Sequence, residues 1–116
     1  MVMVEDAKGD IHELYNLLSK RDEQPAELLD ITDILLQVYQ KLDKEKNPAA
    51  LLNRLVNYIR NAALKGRLHF SKKEEELIIQ LGVFGQKAGL NGIYQGDYSD
   101  KSQFYSYLEQ SQMPRR

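Results

Sequence analysis

Apolar side chains recur at intervals of three and four along most of this chain, and nowhere do they alternate with period two over a usable length. Ile11, Leu14, Tyr15 and Leu18 form a first stripe, predicting a helix over about 5–21, with Gly9–Asp10 a weak point near its start. Leu28, Ile31, Leu35, Val38 and Leu42 form a second, over about 25–44, with Pro25 in the first turn. Glu27, Asp30 and Asp33 make a neighbouring polar row that reads as a solvated face, while Leu29 and Leu36 lie on neither surface. Leu52, Leu55, Val56, Ile59, Ala62 and Ala63 share one face of a third helix, over about 48–65. Asn47–Pro48 opens that helix with a cap and a first-turn proline, and Gly66 is expected to close it.

The fourth helix, over about 72–88, has both ends written in the sequence. Ser71 and Glu74 form an S-x-x-E capping box, and Glu74, Glu75 and Glu76 bring negative charge to the first turn, exposed and suited to the dipole. Leu77, Ile78, Leu81, Phe84 and Ala88 make the stripe, and Gly89 stands where a left-handed cap belongs. Gly82 and Gly85 inside the helix suggest close approach of a neighbour; Ile79 and Val83 on the opposite face call for a cover.

Four helices of similar length with short connections predict an all-α, antiparallel up-down-up-down four-helix bundle in a single domain over 1–116. Residues 90–116 add a C-terminal extension, turn-rich at first and then a short helix over about 100–109. Tyr94, Tyr98, Phe104, Tyr105 and Tyr107 crowd this extension. They read either as a cover folded back over Ile79 and Val83 or as anchors facing a partner.

Chemistry changes this picture little. With no cysteine, no paired histidines and no glycine-rich phosphate loop, neither a metal site, a cofactor nor a catalytic constellation can be assembled. A four-helix phosphocarrier would need an exposed mid-helix histidine beside a small residue, but His12 precedes Glu13 and His69 falls in a connection. The expectation is a non-enzyme with no small-molecule substrate. The lack of a signal segment or of an apolar run of about 20 residues points to a cytoplasmic protein.

Net charge is −1, which argues against nucleic acid as a partner, yet the charge is unevenly divided. Residues 1–47 carry 11 acidic and 6 basic side chains; residues 48–116 carry 6 acidic and 10 basic. Arg60, Lys65, Arg67, Lys72 and Lys73 follow one another without an intervening acid, at one predicted pole of the bundle. They read either as a solvated end or as a patch drawn to an anionic membrane face or an acidic protein surface.

Four segments in order, LLNRLVNYIR (51–60), FSKKEEELIIQLG (70–82), GQKAGLNG (85–92) and SDKSQFYS (99–106), resemble the immunity proteins of pediocin-like bacteriocins. The resemblance is to the branch protecting producers of mesentericin-, leucocin- and mundticin-type peptides. It spans about residues 28–108 and leaves the first 25 residues and Gln110–Arg116 without a match. It implies a cytoplasmic four-helix bundle without enzymatic activity. It further implies a partner: the membrane subunits of the mannose phosphotransferase permease with bacteriocin bound. The protein would recognise these from inside, with peripheral contact to the inner membrane face, and block pore opening. The C-terminal half would carry much of the choice of bacteriocin. A generic helical adaptor or antitoxin-like regulator of a soluble protein is the alternative. Neither reading transfers a fixed residue set, so the five basic and five aromatic side chains above are the candidate partner-binding residues. For the scaffold, urea melts should show Ser71→Ala costing about 1 kcal/mol and Leu81→Ala roughly 2–5 kcal/mol; the reverse order would put Leu81 outside the core.

Overall fold

Four α-helices and one short 3₁₀ turn make up most of residues 2–86, the part of the chain that the computed structural model describes. They are α1 (Val2–Ser19), α2 (Ala26–Lys41), the 3₁₀ turn Leu42–Lys44, α3 (Pro48–Gly66) and α4 (Lys72–Gln86). No strand occurs among the described residues. Each helix packs on its neighbours in the chain, and α1 closes the ring against α4. Connections of a few residues require successive helices to run antiparallel, so the bundle is up-down-up-down, as expected. Gly89, the segment 90–116 and its five aromatic candidates lie outside the described residues.

The core is the set of stripes read from the sequence, with additions. Ile11, Leu14 and Leu18 meet Leu28, Ile31, Leu35 and Val38, then Leu52, Leu55 and Ile59, then Leu77, Ile78 and Leu81, all buried. Val4 and Ala7 extend the first stripe backwards in the same rhythm, and α1 accordingly begins at Val2 rather than near Glu5. Burying Val4 contributes about 1.5–3 kcal/mol, which outweighs the roughly 1 kcal/mol lost by carrying Gly9 in a helix. The helix stops at Ser19, before the expected Arg21, because Gln24 folds back over its end. The Gln24 amide donates to the carbonyl of Leu18 (3.1 Å), which the helix terminus leaves open, and to that of Arg21 (2.9 Å) just beyond it.

Pro25 stands one position earlier than expected, as the extended residue preceding α2, and the far end of that helix tightens into the 3₁₀ turn. Ile34 is buried although it lies off the predicted stripe. The row Glu27, Asp30 and Asp33 is half-buried rather than solvated, since α2 is flanked by both α1 and α3.

Gly66 and Arg67 depart most sharply from expectation. Gly66 does not supply the left-handed residue; Arg67 does, at φ 53°. Its N–H donates to Leu64 O and that of Leu68 to Ala63 O (2.9 Å), the paired bonds of a Schellman turn. Gly66 is needed one residue earlier, where a Cβ would lie 2.7 Å from Glu27 Cβ. The chain therefore uses its glycine for the α2–α3 contact and places an arginine where glycine usually goes.

The two glycines inside α4 also differ. At Gly85 a Cβ would come within 2.8 Å of the Asn53 backbone nitrogen, so the close approach expected there is real. Gly82 needs no such explanation, its added Cβ being 3.8 Å from Val56. The Asn47 cap and the Ser71–Glu74 capping box form as read. Asn47 Oδ1 accepts from Ala50 N–H (3.1 Å), Ser71 Oγ from Glu74 N–H (3.2 Å) and Glu74 Oε1 from Ser71 N–H (2.8 Å).

These roles predict opposite signs at adjacent positions. Gly66→Ala and Gly85→Ala should each destabilise by roughly 1–3 kcal/mol through forced displacement. Arg67→Gly should instead stabilise by up to about 1 kcal/mol, since it removes the left-handed strain of a side-chain-bearing residue. Urea unfolding of the three variants checks the order; a stabilising Gly85→Ala would contradict the close approach.

Candidate functional site at the basic pole

The end of α1, the start of α2, the end of α3 and the start of α4 meet at one pole. Two connections cross it, residues 20–25 and residues 67–71. Arg21 ties them together. Its Nη2 donates to the carbonyl of His69 (2.6 Å) and to Glu74 Oε1 (2.5 Å), and its guanidinium lies 6.0 Å from the Phe70 ring centre. Glu74 is thus buried, at 5% exposure, rather than standing on an exposed first turn. Sequence reasoning identified Glu74 as half of a capping box and left Arg21 without a role. Arg21 lies 53 positions from Glu74, and nothing local in the sequence links them.

The five candidate cations gather toward this pole but do not behave alike. Arg60 grips Glu75 with both nitrogens, at 2.8 and 2.5 Å. Its hydrogen bonds hold the Glu75 carboxyl below the usual glutamate range, and the same bonds raise the Arg60 guanidinium further. Lys73 Nζ lies 3.5 Å from Glu13 Oε2 on α1. Lys65, Arg67 and Lys72 are exposed and make no ion pair with another described residue. Among the described residues, a run of positive charge in the sequence is therefore two engaged cations and three without an acidic partner.

Around these charges the surface is hollowed. A depression of about 680 Å³ lies beside the end of α3, with Ala63, Leu64, Leu68 and Phe70 as its apolar lining. Arg60, Arg67, His69 and Glu75 complete its wall. A smaller hollow of about 320 Å³ shares Arg67, Leu68 and His69 and is closed on its other side by Arg21, Glu23 and Pro25. Residues 67–69 thus form a ridge between two hollows. Leu64 is 79% exposed, a large apolar side chain on the outer side of α3 that the stripe analysis passed over. Ile79 and Val83 are half-exposed on α4, as their position off the core stripe suggested.

Away from the pole, His12 is exposed with its ring 6.1 Å from that of Tyr39, over which Lys8 also sits. Lys8 bonds Asp43 (2.6 Å), joining α1 to the 3₁₀ turn. Among the described residues no group of three or more histidine or acidic side chains could hold a metal ion, and no helix is long and apolar enough to cross a membrane.

Residues 4–86 match the model of the bacteriocin immunity protein family. A Leuconostoc mesenteroides protein described as the probable mesentericin-Y105 immunity protein is 57% identical over 107 residues, covering 92% of this chain and 94% of its own. The probable leucocin-A immunity protein of Leuconostoc gelidum is 56% identical over 108 residues, covering 93% and 95%. Likeness thus reaches well into the N-terminal quarter, which the four quoted segments had left unmatched. No solved structure matches the chain.

The Arg60–Glu75 clasp sets an acid dependence. A carboxyl with a lowered folded-state pKa contributes stability above its unfolded value, near pH 4.3, and loses it as the pH falls through the folded value. Both partners are more than a third exposed, so the clasp is worth up to about 1 kcal/mol after screening. Urea melts of the parent protein and Glu75→Gln should differ by that amount at pH 7 and converge progressively below about pH 4.3. A difference that grew with acidity would contradict the pairing.

Proposed function

Because the chain belongs to the bacteriocin immunity protein family, we propose that it protects a producing cell from its own pediocin-like peptide. In this reading it acts from the cytoplasmic side on the membrane subunits of the mannose phosphotransferase permease once the bacteriocin has seized them. The observation that carries the immunity reading is 56–57% identity, over more than nine-tenths of the chain, to two Leuconostoc proteins described as probable immunity proteins. What favours action through a protein surface is the pole, where the exposed Arg67 borders a hollow with an apolar lining and Lys65 and Lys72 are exposed at the ends of α3 and α4.

The mechanism has an energetic requirement. A protein can shift a pore between closed and open only by binding one state better than the other. Moving that equilibrium from 99:1 to 1:99 takes roughly 5.5 kcal/mol of differential affinity. An interface of about 800 Å² per partner with a few well-buried anchors is sufficient. The target is thus composite, and neither free peptide nor resting permease is bound tightly.

Sensitive cells expressing the chain should resist peptides of the mesentericin-Y105 and leucocin-A type when challenged with a panel of pediocin-like bacteriocins. The tagged chain should recover permease subunits from detergent extracts of bacteriocin-treated cells and far less from untreated ones. Sensitivity to every peptide in the panel would refute the immunity reading and leave a helical adaptor as the better description. Equal recovery with and without bacteriocin would refute the composite target alone.

A further inference from the structure

We propose that the hollow beside Leu64 seats a protein segment bearing apolar and acidic side chains together, with Arg67 as the anchor for its carboxylate. The inference rests on the reading that this chain acts by binding a protein, and adds where the contact is and what chemistry it requires.

Three features of the hollow converge. Its size, about 680 Å³, lies in the range of ligand-binding clefts, and Leu64, Leu68, Ala63 and Phe70 make its lining apolar. Leu64 at 79% exposure is unfavourable in water and gains by being covered. The wall is biased in charge. Its single carboxylate, Glu75, is already gripped by Arg60, which leaves the Arg67 guanidinium without an acid among the described residues. Lys65 and Lys72, exposed nearby at the helix ends, add to the same sign. The complement of such a site is apolar at its centre and acidic at its edge.

Arg67 itself is the second line of argument. It is the one described non-glycine residue with positive φ, in a turn where glycine is the usual occupant. Strain of this kind persists where the surroundings impose it, and it clusters at binding sites. Here it places the guanidinium on the ridge shared by both hollows. An arginine can present two parallel N–H donors to one carboxylate, which a glycine in the same turn cannot replace.

A protein segment fits better than a lipid surface. Apolar side chains that meet a bilayer project from a convex face, whereas Leu68 and Phe70 are half-buried in a recess. A recess with a charged lip receives a ridge of side chains from a partner.

The test separates docking from folding. Arg67→Gly should match or exceed the parent protein in urea midpoint, yet protect sensitive cells about tenfold less well, as expected of an anchor residue. Leu64→Asp, at an exposed position, should likewise keep the fold and lose protection. A photo-crosslinking amino acid in place of Leu64 should, in bacteriocin-treated cells, attach to a partner segment containing both apolar residues and Asp or Glu. Full protection by both variants, while the parent protects, would overturn this site and leave the immunity reading standing. Failure of the parent to protect against any peptide would overturn that reading instead. Adducts only to lipid, only to a second copy of the chain, or to a segment without carboxylates would each overturn the proposal. So would binding of the parent to phosphatidylglycerol vesicles that Arg67→Gly abolishes.

Discussion

One buried carboxylate organises the pole of this bundle. Glu74 is withdrawn from solvent, and an ion so placed is tolerated only if its oxygens are occupied. Its Oε1 accepts from the Ser71 backbone and from Arg21, while Arg21 also holds the His69 carbonyl. The end of α1, the connection into α4 and the first turn of α4 are thereby fixed relative to one another. Together with the Schellman bonds of residues 67 and 68 and the Ser71 cap, that bond set defines the segment 67–71. Residues 67–69 of that segment are the ridge shared by the two hollows beside α3. The hollows on either side are consequences of this constraint.

Most of the scaffold was legible in the sequence because its determinants are local. Asn47–Pro48 and Ser71–Glu74 act within three residues, and both capping arrangements form. The apolar stripes encode the core directly, and even the extended start of α1 follows the rhythm once Val4 and Ala7 are counted. What could not be read depends on partners distant in the chain. The ion pair between Arg21 and Glu74 and the packing of Gly66 on Glu27 require knowing which helices are neighbours and in what register. The left-handed cap slipped from Gly66 to Arg67 for that reason: a contact with α2 had a stronger claim on the glycine.

The candidate site was legible in outline only. Position along the chain placed Arg60, Lys65, Arg67, Lys72 and Lys73 near one pole, but not which of them remain available. Glu75 sits one turn into α4, facing α3, and so engages Arg60 rather than standing in water. Lys73 turns toward Glu13 across the seam with α1. Leu64 escaped notice because stripe analysis looks for what is buried. An apolar residue just past the stripe is visible as a surface feature only once its exposure is known.

The seam between α3 and α4 has a gradient along it. At its far end Gly85 lets the two backbones nearly touch at Asn53; further along Val56 lies against Gly82; at the pole the spacers are the long side chains of Arg60 and Glu75. The groups that separate α3 from α4 thus grow from a glycine to a pair of long charged side chains toward the pole. Gly85 and Glu75 are ten positions apart, about 15 Å along the axis. The pole ends of the same two helices line the large hollow. A methyl group added at position 85 would press the α3 and α4 backbones apart at Asn53, on the seam whose other end carries the hollow.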